Sequence, residues 1–285
     1  MRWPVLTEHP SERLQPVQPD MAVQPLLVPI HTVRSQRPTT RRYSMTTIDP
    51  GITLGELVTL HPELARLLEN RRLDYCCHGT ATLGDACIAA GLDPSSVAVE
   101  LAEVAGAPSV PNWATLGAAQ LVDHLEATHH RYLWHELPRI DALLTKVVGV
   151  HGQRHPELAD VASCFGSLRA DLEPHLTKEE RVLFPMIRQL AHSDSPPSFH
   201  CGSLGNPISV MLAEHDTVGE LLTDMRRLTD GYQPPTDGCA SYAAMYAALK
   251  ELERDTHEHV HKENHRLFPM VLELEHQLAA SASSA

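Results

Sequence analysis

Two segments of this 285-residue chain repeat one another around residue types that bind metals. His175-Leu-Thr-Lys-Glu-Glu-Arg-Val-Leu-Phe-Pro-Met186 and His259-Val-His-Lys-Glu-Asn-His-Arg-Leu-Phe-Pro-Met270 agree at seven of twelve positions, 84 residues apart. Two further histidines keep the register: His130 lies 45 residues before His175, and His215 lies 44 before His259. On an α-helix, residues i and i+4 differ by about 40° around the axis, so both side chains project to one side. His175 with Glu179, and His259 with Glu263, can each offer an imidazole and a carboxylate to one point. With His130 and His215 they make four nitrogens and two carboxylates. A carboxylate can bridge two ions and an imidazole caps one, so the set suits two first-row metals, iron or manganese rather than a closed thiolate zinc site. A single His-x-x-x-Glu is usually a solvated helix pair. Two copies in register, with two histidines at matching offsets, are poorly explained that way.

The elements that must hold these residues follow from apolar periodicity. Segments at about 114–148, 156–191, 206–230 and 239–279 read as long helices, with no competing strand alternation. Gly149 and Gly152, then Ser193 to Pro197, then Gly231 to Pro235 separate them. Four such helices with modest loops predict an all-α, antiparallel four-helix bundle over 114–279. Pro185 and Pro269 fall inside predicted helices, one turn beyond the ligands, and are expected to bend them; Pro138 is read similarly. Within the first helix His124, His129 and His135 compete with His130, which is chosen on repeat register. His257, His261 and His265 are read as mostly solvent-facing, with outer-sphere donors to the metal among them.

Upstream, residues 47–107 read as a small helical module. Thr53-Leu-Gly-Glu56 has capping-box spacing, Pro62 suits a first helical turn, and Asp93-Pro94 opens a helix that runs to Val104. Fewer than 60 residues make a marginal core, so this module is expected to dock or to support a homodimer. Pro108 and Pro111 mark a linker over 108–113. Residues 1–46 carry seven of the 22 prolines and read as a disordered leader. Translation from Met45 is the favoured explanation, ahead of a flexible tail; Glu8, Glu12 and Asp20 spoil a transit-peptide composition.

Composition bounds the function. A net charge of −13 disfavours nucleic-acid or anionic-membrane partners. No apolar run reaches the ~18 residues of a membrane span, and the start lacks a secretory core, so a cytoplasmic location is expected. Six scattered cysteines do not form a small-scaffold disulfide pattern. The 19 histidines are the excess that points to metal.

Leu73-Asp-Tyr-Cys-Cys-His-Gly79, Asn206-Pro-Ile-Ser-Val-Met-Leu-Ala-Glu-His215 and the two His-x-x-x-Glu/Leu-Phe-Pro-Met segments together resemble the RIC (repair of iron centres) family of the YtfE/ScdA type, over about residues 50–278. The resemblance implies a small ScdA-type domain before a haemerythrin-like bundle. It also implies a cytoplasmic di-iron protein that helps restore iron–sulfur clusters damaged by nitric oxide or peroxide. The family's four histidines and two bridging glutamates match His130, His175, Glu179, His215, His259 and Glu263. Damaged iron–sulfur proteins would be the clients, with nitric oxide or O₂ as small ligands.

Cys76 and Cys77 are assigned a functional, catalytic role in addition to the six metal ligands, with redox and metal chemistry both open. Adjacent cysteines strain a mutual disulfide. They are read as reactive thiols, as ligands for a transferred iron or cluster, or as half of an intermolecular contact. Reactivity would need a lowered pKa, for which Arg71, Arg72 and His78 could supply charge. A zinc site from Cys76, Cys77, His78 and Cys87 fits no usual spacing. Buried structural cysteine suits Cys87 and Cys164 better. Three functions compete: repair by iron donation or nitric oxide handling, reduction of nitric oxide or peroxide, and O₂ or iron sensing.

Overall fold

A computed structural model describes residues 48–106 and 111–283, and every described element is helical. The leader over 1–46 and the Pro108 part of the linker lie outside these residues.

The small module carries helices α1 (Leu54–Leu60), α2 (Ala65–Asn70), α3 (Leu83–Ala89) and α4 (Pro94–Val104). Three starts are side-chain capped: the Thr53 hydroxyl accepts from Glu56 N–H at 3.2 Å, Thr82 from Asp85 and Asp93 from Ser96. Each cap satisfies an amide that a short helix would leave unpaired, worth ~1 kcal/mol. Leu54, Leu64, Leu68, Leu83 and Leu101 fill its core, which borrows Val260 from the bundle.

The bundle follows. Its first helix is α5 (Ala118–Leu125), a π turn (Glu126–His130) and α6 (Arg131–His151). Its second is α7 (Leu158–Lys178), a π turn (Glu179–Leu183) and α8 (Phe184–Ala191). The third is α9 (Gly205–Leu228), and the fourth is α10 (Ala240–Lys262), a π turn (Glu263–Leu267) and α11 (Phe268–Ser283). Two apolar cores share this bundle. One packs Leu133, Leu137, Phe165, Leu176, Leu222 and Leu252; the other packs Leu121, Leu125, Leu183, Phe184, Leu267 and Phe268. His130, Glu179, His215, His259 and Glu263 lie in sequence between members of these two sets, and His175 sits one residue before Leu176.

The prolines do something the periodicity did not anticipate. Pro185 and Pro269 have no N–H to give the i−4 carbonyl. Immediately ahead of each Phe-Pro pair the ladder widens to an i→i+5 turn, at Glu179–Leu183 and Glu263–Leu267. Such π turns recur at functional sites, because one extra residue per turn resets side-chain direction. Here both begin on the bridging-carboxylate candidates, and the third ends on His130.

His257, His261 and His265 are not solvent-facing, contrary to expectation, and none is hydrogen-bonded to the six candidate ligands. They form the dock for the small module. His261 is 3 % exposed and meets the Thr59 hydroxyl at 3.1 Å and the edge of Tyr75. His257 pairs with Glu69 at 3.3 Å, which also takes the Tyr75 hydroxyl. His265 donates to the Cys76 carbonyl at 3.0 Å. Gly79 is dictated by this close approach: a Cβ there would collide with the Tyr75 carbonyl and the His265 ring. Gly79→Ala is therefore expected to cost roughly 1–3 kcal/mol, as overpacking does. A lower urea midpoint and faster trypsin cleavage would register it; an unchanged midpoint would show that the contact between Gly79 and His265 is not tight.

Candidate metal centre

The four histidines meet in two pairs. His130 Nε2 lies 3.2 Å from His259 Nε2, and His175 Nε2 lies 3.2 Å from His215 Nε2. Between them stand the carboxylates. Glu179 Oε2 is 3.4 Å from both His130 and His175, and 4.0 Å from His259. Glu263 reaches His259 at 3.0 Å through Oε1 and His215 at 3.2 Å through Oε2. Two overlapping ligand groups result: His130, Glu179, His259 and Glu263, and His175, Glu179, His215 and Glu263. All six side chains are at most 2 % exposed. Of the four histidines competing in the first helix, His130 is the one that enters the cluster. His135 is exposed and pairs with Glu136, while His124 and His129 turn toward Lys262.

The residues fit a pair of cations. Both oxygens of Glu179 and Oε2 of Glu263 are buried without a hydrogen-bond donor. A carboxylate in that condition costs several kcal/mol unless positive charge meets it. The imidazoles are turned to supply nitrogen lone pairs. His130 Nδ1 meets Glu180 at 3.0 Å, His175 Nδ1 meets Glu214 at 2.9 Å and His215 Nδ1 meets the Asn264 carbonyl oxygen at 2.8 Å. Those partners only accept, so each Nδ1 carries a proton and each Nε2 is the nitrogen turned inward, free to give its lone pair to a cation.

These outer partners obey the same repeat as the ligands. Glu180 and Asn264 are 84 residues apart, as are Lys178 and Lys262. Lys178 binds Glu214, whereas Lys262 donates to His129 Nε2 at 2.7 Å. His129 occupies the place before His130 that Glu214 occupies before His215. It stacks on His259 (centroids 5.4 Å apart, planes 10° apart) instead of accepting from it, and pairs with Asp255 at 3.0 Å. His259 Nδ1 is accordingly buried without a partner. Asn264 in place of a glutamate adds an amide donor, which binds the Cys76 carbonyl at 3.0 Å. The repeat was visible in the sequence, but its outer members were not recognised, because one half has exchanged them.

The six side chains also pair with one another. Burial pushes His175 down most, yet the Glu179 and Glu263 charges and the hydrogen bonds with Glu179 and Glu214 together outweigh it and raise its pKa to about 9. Burial and Glu179 push Glu263 up, but His259 and His215 outweigh them and leave it at about 2. The His175 contribution to stability is full below its ordinary pKa of ~6.5 and lost as pH rises through about 9. The Glu263 contribution is full above its ordinary value of ~4.5 and lost as pH falls toward about 2. Melting of metal-free protein across pH is expected to peak between roughly 4.5 and 6.5, and metal uptake at pH 7 to release protons. A metal-free melting point that stays level from pH 6 to 10 would contradict this pairing.

Around Cys76 and Cys77, Arg71 is engaged with Glu100 at 2.6 Å and His78 with Asp74 at 2.6 Å. The two thiols are free, 3.7 Å apart.

A model described as the hemerythrin HHE cation binding domain matches residues 121–271, and the ScdA_N model, a domain of unknown function, matches 51–105. Proteins named iron–sulfur cluster repair protein YtfE from Enterobacter sp. (strain 638) and Citrobacter koseri are 36 % and 35 % identical over 219 residues. Those matches cover 77 % of this chain and 96 % of each relative; the Escherichia coli O1:K1 protein matches at 35 % over the same span. The chain belongs to the YtfE family. For a YtfE-family chain with a hemerythrin cation-binding domain, two overlapping buried His/Glu groups are what a two-metal site requires. No described helix is long and apolar enough to cross a membrane.

Proposed function

We propose that this chain repairs iron–sulfur clusters damaged by nitrosative or oxidative stress, using two iron ions held by His130, His175, Glu179, His215, His259 and Glu263. The observation that carries the reading is the set of donor-less, buried carboxylate oxygens on Glu179 and Glu263 between two pairs of Nε2 atoms. His130 and His259 would hold one iron, His175 and His215 the other, and the two carboxylates would span both. When bound, the iron pair supplies electrons one at a time and coordination positions for a small ligand such as nitric oxide or O₂. The chain's own residues do the rest. Glu180, Glu214 and Asn264 fix three ring orientations through Nδ1, and the apolar side chains of Phe184 and Phe268 lie against the His130 and His215 rings. Three of the four carboxylate oxygens of Glu179 and Glu263 have no hydrogen-bond donor to fix them, which would suit residues that hold iron and give it up to a client cluster. The clients are damaged iron–sulfur proteins of the same compartment, taken to be the cytoplasm.

The test is reactivation. Anaerobically iron-loaded protein, as the only iron source, is expected to restore an iron–sulfur enzyme damaged by nitric oxide, and a Glu263→Leu variant is expected not to. Consumption of nitric oxide by the loaded protein with no restored enzyme would replace repair by reduction.

A further inference from the structure

We propose that Asp74, Cys76 and Cys77 form a third metal position, a transit site for one divalent cation of the iron type on its way between the buried pair and a client. This rests on the repair reading above. The three side chains present one carboxylate oxygen and two sulfurs that all lie within 4.8 Å of one another. Asp74 builds the arrangement: its Oδ1 accepts the backbone N–H of Cys76 at 3.0 Å and of Cys77 at 2.9 Å. That turn brings Cys76 Sγ to 3.2 Å from Oδ1 and Cys77 Sγ to 3.7 Å from Cys76 Sγ. Three protein ligands leave a fourth position of a tetrahedral ion open, as a site that passes its ion onward needs.

The same geometry argues against Cys76 as a reactive thiolate. Its hydrogen bond with Cys77, burial and the Asp74 charge all push the Cys76 thiol up, so it stays protonated and a poor nucleophile at pH 7. Another cysteine has the opposite setting: the exposed Cys239 takes a hydrogen bond from His151 at 3.1 Å and is held down at about 7. A cation entering beside Asp74 would be held by thiolate sulfur, so thiol protons would leave to solvent on binding with no change in oxidation state.

The transit site also touches the buried pair. Cys77 Sγ lies 3.5 Å from the His215 carbonyl oxygen. Asn264 accepts from His215 through its oxygen and donates to the Cys76 carbonyl through its nitrogen. The glutamate that holds the equivalent place for His130 could not make that second bond. The half of the centre built on His175 and His215 is thus the half joined to the cysteines.

Anaerobic titration with cobalt(II), in a Cys239→Ser background that removes the accessible thiol, separates the possibilities. The expected result is three equivalents per chain. Two would give only the weak visible bands of nitrogen and oxygen ligands, and one a sulfur-to-cobalt charge-transfer band in the near ultraviolet. Cys76→Ser/Cys77→Ser is expected to abolish that band and keep two equivalents. Asp74→Asn, whose amide oxygen preserves the turn, is expected to weaken the third equivalent at least ~10-fold. Glu263→Leu is expected to lose equivalents from the buried pair and keep the sulfur band. Two equivalents with no sulfur band in the parent protein would overturn the transit site and leave the two-metal reading standing. A sulfur band without the other two equivalents would defeat the two-metal reading instead.

Discussion

Glu179→Gln is expected to reduce bound iron from two ions per chain to one at most, and to weaken what remains by more than about 100-fold, or ~2.7 kcal/mol. The size follows from reach. Glu179 Oε2 approaches three of the four imidazoles, and neither of its oxygens has a donor. Glutamine keeps the volume and removes the charge that two cations require. It also aims an amide N–H at nitrogens that already offer lone pairs. In the metal-free protein the same change removes one of the charges that hold the His175 pKa up, so that pKa should fall. Metal analysis after anaerobic loading, with a chelator competition for the affinity, reads both effects. Two tightly held ions in the variant would mean that Glu179 is not a bridge.

Phe268→Ala is the second large effect, expected to cost about 3–5 kcal/mol. Phe268 is 2 % exposed and lies parallel to the His215 ring (centroids 6.0 Å apart, planes 8° apart). Its repeat partner Phe184 is fully buried beside His130, with centroids 5.2 Å apart. The repeated Phe thus packs the wall against which a ligand ring rests. Removing it opens a cavity between rigid helices that can collapse only partly. The denaturant midpoint of metal-free protein should fall with an unchanged slope. A loss below about 1 kcal/mol would show that this wall relaxes freely.

Much of this molecule could be read before any coordinates. The four long helices were legible because each keeps one apolar stripe over many turns. The six clustered residues were legible because two of those helices repeat a motif in register, which ties ligand to helix without any long-range information. The small module's helix starts were marked by Thr53 and Asp93, whose caps are local. What escaped was non-local. His261 meets Thr59 across 202 residues and Asn264 meets Cys76 across 188, and no periodicity encodes such distances. Histidines 257, 261 and 265 therefore looked like surface residues, when they are the dock of the small module. The π turns were missed for a different reason. A proline announces a lost hydrogen bond, but whether the helix bends or widens depends on the packing on either side. The proline at Pro185 follows a carboxylate that must point inward, and the widened turn begins on that residue.

The proposed function requires that six residues hold two ions side by side. Anomalous diffraction at the iron edge, from crystals of anaerobically iron-loaded protein, tests it most directly. Two peaks are expected, both bounded by Glu179 and Glu263, one flanked by His130 and His259 and the other by His175 and His215. A single peak in this cluster, or iron bound elsewhere with these six side chains still paired among themselves, would contradict it.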